Sequence, residues 1–360
     1  MNYTEALLFF ETITPSIIKD AETIYGETLL SVVAPKHVFK RYVGMGLEGI
    51  IILAEDVENM RNSVFKFARP KKNHSSTIEK LGKKVKNIFS ARNDTSLKES
   101  PTSERFLRSC RIQQQIYKEI QGNKELRLIG GVPSIYKIGK IPKLYVEMEY
   151  TPGADLLTWC KFLPSEQAIV QTILDISKLI NGIHNINIIH GDLKPQNFII
   201  QGVDDNYRVL LIDFGTAKDV ANTFCVTQEG EQRFSMPYTS GNQIKNYKSR
   251  TFSDDIYSVG VMLYYCVLQT TPVEQFNKYP DSKTFKDTHP LHLLKHIGLQ
   301  QVYSRAVGYG FKYPKIQDFI EDINKRYFST IKKSNNLGEN TVEKIVQIWS
   351  EFLKRSKYCE

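Results

Sequence analysis

A chain of 360 residues with 41% hydrophobic and 24% charged content is long enough to bury a full core and has the composition of a globular protein, which sets aside a fibrous or low-complexity chain. Its formal net charge of +9 favours contact with something anionic, but charge alone does not choose among nucleotide, nucleic acid, acidic protein and phospholipid, and no specific nucleic-acid signal accompanies it. Five cysteines, Cys110, Cys160, Cys225, Cys266 and Cys359, lie far apart without paired spacing, so reduced thiols in a cytoplasmic, intracellular protein are expected, not a disulfide frame or a zinc site.

In the opening stretch a short apolar run is broken by Glu11 with no basic residue ahead of it, so neither a secretory signal nor a membrane span is expected. Residues 1–36 are predicted to form an amphipathic helical extension, with Ile17, Ile18, Ile24, Leu29 and Leu30 packed against the domain that follows. From Val38 the pattern becomes strand, turn, strand, with Gly44, Gly46 and Gly49 spaced as GxGxxG. Backbone amides in such a turn can approach phosphate oxygens without side chains in the way. A short strand, Val64 to Phe67, then carries Lys66 between bulky neighbours, where an ammonium is costly unless it has an anionic partner.

Residues 69–101 read as an insertion. Ile78, Leu81, Val85, Ile88 and Phe89 recur at helical spacing, and Lys80, Lys83, Lys84 and Lys86 occupy positions between them. A basic amphipathic helix of this kind, within 69–92, suits an anionic membrane surface. The alternatives are that it docks on its own domain with its lysines in water, or that no helix forms. A further helix is expected from an N-cap at Thr102 or Ser103 through Ile120, followed by a strand near Val132 to Gly139. Leu144 to Trp159 reads as strand, turn and helix, and residues 166–189 show apolar residues at helical period.

The stretch His190 to Gly215, HGDLKPQNFIIQGVDDNYRVLLIDFG, gathers Asp192, Lys194, Asn197 and Asp213 between apolar runs, so the polar cluster is expected on rigid, buried mounts. A carboxylate can accept a hydroxyl proton, a second carboxylate with an amide oxygen can hold magnesium, and a lysine can offset charge on a transferring phosphoryl group. The string resembles the catalytic loop and magnesium motif of protein kinases, with Gly191 where most members carry arginine.

That resemblance covers roughly Val38 to Leu268 and implies an α+β fold of two lobes. Residues 37–150 would form a β-rich small lobe carrying the 69–101 insertion, and 151–360 a mainly helical large lobe. It implies a serine/threonine kinase using ATP and Mg2+ on a protein substrate, with Asp192 as base, Lys194 on the gamma-phosphate, and Asn197 and Asp213 on the metal. Gly44, Gly46, Gly49 and Lys66 would hold the nucleotide phosphates, Met148 would back the pocket, backbone groups of Glu149 and Thr151 would read adenine, and Asp155 would meet the ribose. A helix glutamate should pair with Lys66. Spacing favours Glu119 over Glu104, while matching Ile116 and Tyr117 to the family's apolar pair puts Gln113 at that position and leaves no ion pair.

The segment from Thr216 to Ser240 would be the activation segment, carrying hydroxyls at Thr216, Thr223, Thr227 and Ser235. Its usual alanine-proline-glutamate end is replaced by Ser240, Gly241 and Asn242. With Gly191 this implies that activation by phosphorylation of the segment is lost. Asp255 would hydrogen-bond the catalytic-loop backbone. Two other readings remain beside the main one: a pseudokinase that binds nucleotide without turnover, and a small-molecule kinase of the aminoglycoside or choline type. No chemistry is legible in residues 273–360, where a last helix is expected over 339–355.

Overall fold

The computed structural model describes residues 30–31, 33–45, 49–68, 101–140, 144–162, 165–203, 206–221, 224–225, 235–246, 249–271, 274, 291–308 and 312–334. The 69–100 insertion, Gly46, most of the 1–36 extension and the helix expected over 339–355 lie outside these residues. The chain divides into two compact units. One comprises Met1–Arg111 and Ser134–Tyr150, the other Ile112–Pro133 and Thr151–Glu360.

In the first unit, strands β1 (His37–Met45), β2 (Gly49–Asp56) and β3 (Arg61–Ala68) follow one another as antiparallel neighbours. Helix α1 (Pro101–Gly122) starts in this unit, its boundary falling slightly ahead of the expected N-cap residues. After α2 (Lys124–Ile129) and β4 (Gly130–Gly131), which belong to the second unit, β5 (Ile135–Gly139) and β6 (Tyr145–Glu149) complete a five-stranded sheet in the order β1-β2-β3-β6-β5. The alternation of side chains along β3 explains why both faces of this sheet are covered. Phe65 and Phe67 join Ile50, Ile52 and Tyr145 in one apolar cluster, which Leu30, Val33 and Ala34 also enter. Ala68 and Val146 join Phe106, Leu107 and Cys110 from α1 in another.

In the second unit β7 (Ala154–Asp155) leads into α3 (Leu156–Phe162) and then α4 (Glu166–Asn185). Ser165 caps α4 by accepting from the Ala168 N–H at 3.2 Å, and Ile169, Ile173, Ile176, Ile180 and Ile183 are buried along it. The helical period does not carry α4 to residue 189. Asn187 takes a left-handed φ of 61°, and Ile188–Ile189 form the short strand β8. A single 3-10 turn at Pro195–Asn197 separates it from β9 (Phe198–Val203) and β10 (Asn206–Leu211). These two strands pair antiparallel in a sheet of order β4-β10-β9-β7, while β11 (Lys218–Asp219) lies between β8 and β12 (Phe224–Cys225).

The rest is helical: α5 (Gly241–Lys245), α6 (Phe252–Val267), α7 (Ile297–Val307), α8 (Ile316–Ile323) and, beyond a π-helical stretch, α9 (Ser329–Ser334). Nine consecutive positions of α6, Ser258 to Cys266, would be hard to bury on a surface helix. Here Val259, Val261, Met262, Leu263, Tyr264 and Tyr265 are all inaccessible, so α6 is the central helix of this core. Residues 112–133 belong with this core and not with the strands beside which the sequence reading grouped them, because Ile112, Ile116 and Ile120 of α1 pack into it. None of the described helices is long and apolar enough to cross a membrane.

Candidate active site

The first unit carries the expected nucleotide-phosphate residues. Gly44 lies in β1 opposite Ile51, and Gly49 opens β2 opposite Ala68. A Cβ on Gly49 would stand 1.9 Å from the Phe67 carbonyl oxygen, so glycine is needed there by strand packing whatever else it does. Lys66 is half-buried on β3, opposite Ile51 on one side and Val146 on the other. Its flanking residues Phe65 and Phe67 face the opposite side of the sheet, so Lys66 lies on the face that receives α1. Met148 sits in β6 opposite Val64. Glu149 is tied at both ends to Ser134, donating its N–H to the Ser134 carbonyl at 2.8 Å and accepting the Ser134 N–H at 3.0 Å.

In the second unit the loop from His190 to Asn197 is held from below by one buried carboxylate. Asp255 on α6 accepts the N–H groups of His190 and Gly191 through different oxygens, each at 2.9 Å, and also contacts His184 Nε2 at 2.9 Å. Burial works against its ionisation, but the His184 hydrogen bond and charge and the loop N–H groups outweigh it and hold the carboxyl below the usual range. Burial instead pushes the His190 imidazole down, against the raising influence of Asp255, Asp192 and Asp213, which keeps it neutral beneath the loop. Its ring meets Phe214 edge-on at 5.4 Å.

Above this floor Asn197 donates from Nδ2 to the Asp192 carbonyl at 2.8 Å, closing the turn. Lys194 Nζ lies 2.8 Å from Asp192 Oδ2 and 3.0 Å from Ser235 Oγ. Ser235, read from the sequence only as one of several hydroxyls, is therefore joined through Lys194 to the carboxylate. The signal was absent because Ser235 lies 41 residues from Lys194. Asp213 follows the buried strand β10, exposed and with a left-handed φ of 65°, a strained setting that clusters at functional sites. The Ile212 N–H donates to the Asn197 carbonyl at 2.9 Å, so the two expected magnesium ligands sit on directly connected backbones.

A protein kinase domain model matches residues 80–326, more than half of the chain. The chain belongs to the protein kinase family. The matched range includes the loop, Asp213 and α6, whereas Gly44, Gly49 and Lys66 precede it. The chain is 33% identical over 126 residues to the serine/threonine-protein kinase PknB of Mycobacterium leprae, covering 34% of this chain and 20% of that protein. It is 28% identical over 198 residues to the serine/threonine-protein kinase PKH1 of Saccharomyces cerevisiae, covering 51% and 25% respectively. With the human serine/threonine-protein kinase DCLK3 it shares 30% identity over 161 residues, 41% of this chain and 23% of the relative. This kinase chain thus spans a quarter or less of the length of those relatives.

The fold shows the surroundings of Glu119, Glu104, Gln113 and Asp155. Glu119 is exposed on α1, and Glu104 is engaged by Arg108 one turn on, at 2.6 Å. Gln113 of that helix is buried and donates from Nε2 to the Pro133 carbonyl at 2.8 Å. Spacing toward the next strand favoured Glu119 without regard to the helical face. Residues 109, 113, 116 and 120 define the buried stripe, and position 119 falls outside it. Asp155, expected at the ribose, caps α3: Oδ1 accepts the N–H groups of Leu157 and Thr158, and Oδ2 accepts the Thr158 hydroxyl at 2.6 Å.

The two departures from the usual kinase pattern are each compensated within the second unit. Gly191 has a φ of +76°, and a Cβ there would stand 2.4 Å from Arg250 Nη1. Arg250 is buried and donates from Nη1 to the Thr216 carbonyl at 2.6 Å, so a guanidinium from the segment before α6 fills the space beside the loop. Gln243 adds a bond from Nε2 to the Gly191 carbonyl at 2.6 Å. In place of a buried glutamate, Ser240 caps α5 and hydrogen-bonds Asp254, to which Asn242 also donates at 3.4 Å. Hydroxyl and amide groups thus connect this segment to the first turn of α6 without a second buried charge.

Proposed function

We propose that this chain transfers the gamma-phosphoryl group of ATP to serine or threonine hydroxyls of protein substrates. The observation that carries the proposal is Lys194 Nζ lying within 3.0 Å of both the Asp192 carboxylate and the Ser235 hydroxyl, above a loop whose backbone is pinned by Asp255. Such a carboxylate can orient a substrate hydroxyl and take its proton as the oxygen attacks phosphorus and the bond to the departing ADP oxygen breaks. Lys194, fixed to that carboxylate, offsets negative charge on the transferring group.

The magnesium ligand set fits the chemistry of the residues present. Asn197 spends its amide N–H on the Asp192 carbonyl, which leaves its oxygen as the ligand atom, and Asp213 supplies a carboxylate from an exposed, left-handed position. Magnesium, when bound, neutralises phosphate charge. Lys66, Gly44, Gly46 and Gly49 are assigned to the nucleotide phosphates, and Met148, Glu149 and Thr151 to the adenine side. Asp155 is assigned to the ribose, its carboxylate keeping acceptor capacity beyond the bonds of the cap.

The test is incubation of purified protein with labelled ATP, magnesium and generic protein substrates, beside an Asp192→Ala control. Label in protein that depends on Asp192 supports the proposal. Nucleotide binding without turnover replaces it with the pseudokinase reading, and turnover only with aminoglycosides or similar alcohols replaces it with the small-molecule enzyme.

A further inference from the structure

A polar cluster buried at one end of the first unit's sheet has no part in phosphoryl transfer. His37 begins β1 and lies opposite Asp56, which ends β2, and Glu147 reaches the same point from β6. Exposure of their side chains is only 10%, 4% and 7%. Two carboxylates buried so deeply need compensating positive charge, and the neighbouring guanidinium, Arg61, remains 39% exposed.

The distances show how loosely these groups are held by one another. His37 Nε2 stands 3.2 Å from Glu147 Oε1 and 3.7 Å from Asp56 Oδ2, and Arg61 stands 3.4 Å from Asp56 and 3.8 Å from Glu147. A charge-assisted hydrogen bond closes to about 2.7–2.9 Å, so all four contacts are open by comparison. Zinc bonds of about 2.0–2.1 Å in a tetrahedron separate the ligand atoms by about 3.4 Å, which the two His37 distances bracket. All three ligand atoms lie within 4.8 Å of one another. The Arg61 Nε–H, 3.4 Å from Asp56 Oδ2, has no hydrogen-bond partner among the described residues, nor has His37 Nδ1, so Arg61 is not closely seated on either carboxylate. It has another place to go, because its guanidinium lies 3.7 Å from the centre of the Tyr136 ring.

We propose that His37, Asp56 and Glu147 form a binding site for a divalent transition metal of the zinc type, with His37 Nε2, Asp56 Oδ2 and Glu147 Oε1 as ligands and one position left for water. Both carboxylates are supported in that role. Asn59 holds Asp56 through Nδ2 at 2.6 Å and through its backbone N–H at 3.2 Å, and the Ser63 hydroxyl donates to Glu147 Oε1 at 3.1 Å. One imidazole with two carboxylates suits zinc or its neighbours better than calcium, which takes six to eight oxygens, or magnesium, which keeps most of its waters. Bound metal would clamp β1, β2 and β6 together at the edge farthest along the sheet from Gly44 and Gly49.

The test uses the full chain, stripped with chelator and titrated with zinc against a competing chromogenic chelator in the absence of nucleotide. Wild type should take up one zinc equivalent more than His37→Gln and Glu147→Gln, with the fold of each variant checked by circular dichroism. Asn59→Ala, on an exposed turn, should weaken that equivalent about tenfold. Folded variants that bind zinc like wild type, or a wild type that takes up none, would overturn the site. If neither ligand variant folds, Asn59→Ala decides: weakened uptake supports the site and unchanged uptake refutes it. The readout is metal uptake, so it stands apart from whether the chain phosphorylates protein.

Discussion

Restoring the arginine that most kinases carry in the catalytic loop should damage this protein. In Gly191→Arg the new residue must adopt a φ near +76°, which costs an L side chain about 1–2 kcal/mol. Its Cβ would also stand 2.4 Å from Arg250 Nη1. A guanidinium tip can usually swing aside cheaply, but Arg250 is 4% exposed and donates to the Thr216 carbonyl at 2.6 Å. Moving it gives up a charged hydrogen bond of about 1.5–3 kcal/mol. Together these cost about 2.5–5 kcal/mol, a large share of the roughly 5–15 kcal/mol that typically holds a domain folded. The assay is the shift of the urea unfolding midpoint in Gly191→Arg, Arg250→Ala and the double variant, with phosphotransfer measured on each at a temperature where it is folded. The double variant should cost less than the two single changes combined, since removing Arg250 makes the room that the new side chain needs. A Gly191→Arg protein as stable and as active as wild type would refute the claim that Arg250 has taken this space.

Other expectations concern α1, the loop floor and the basic insertion. Glu119→Ala should leave stability within about 0.5 kcal/mol and activity unchanged, whereas Gln113→Ala, which strips the Pro133 carbonyl of its donor, should cost about 1–3 kcal/mol in chemical denaturation. Loss of activity in Glu119→Ala comparable to that in Lys66→Ala would reinstate the ion pair. Because His190 is held neutral in the fold, the unfolded chain takes up its proton first, so stability should fall as pH drops through the ordinary imidazole range near about 6.5. Asp255 acts lower: its depressed carboxyl contributes fully above the ordinary carboxylate value and loses that contribution as pH falls below it. Unfolding midpoints against pH should therefore show a shallower acid limb in Asp255→Asn, from a lower starting stability, and an unaltered limb would remove Asp255 from the account. For residues 69–92, sedimentation with anionic vesicles should decline as salt rises, and equal sedimentation with neutral vesicles, or none with either, would dismiss a membrane role.

Much of the site was legible because it is local. Asp192, Lys194 and Asn197 lie within six residues, and the turn that closes on the Asp192 carbonyl is made by their own side chains and backbone. Apolar runs likewise announced the buried mounts that became β9 and β10, since burial is written into each strand's own residues. Asp255 was anticipated from the family pattern, and its bonds to His190 and Gly191 span 65 and 64 residues.

What sequence order alone could not convey is which distant residue fills a space left by a substitution. Gly191 read as the loss of an arginine, and only the packing of α6's leading segment brings Arg250 beside it. Ser240 and Asn242 read as a broken motif until the fold set them against Asp254. The choice between Gln113 and Glu119 required knowing which stripe of α1 is buried. The cluster of His37, Asp56 and Glu147 joins residues 110 positions apart and left no mark in any local spacing. Chemistry carried by neighbours in the chain is set by the backbone they share, while contacts among strangers exist only after strand register and helix packing have been decided, and those depend on the whole core at once.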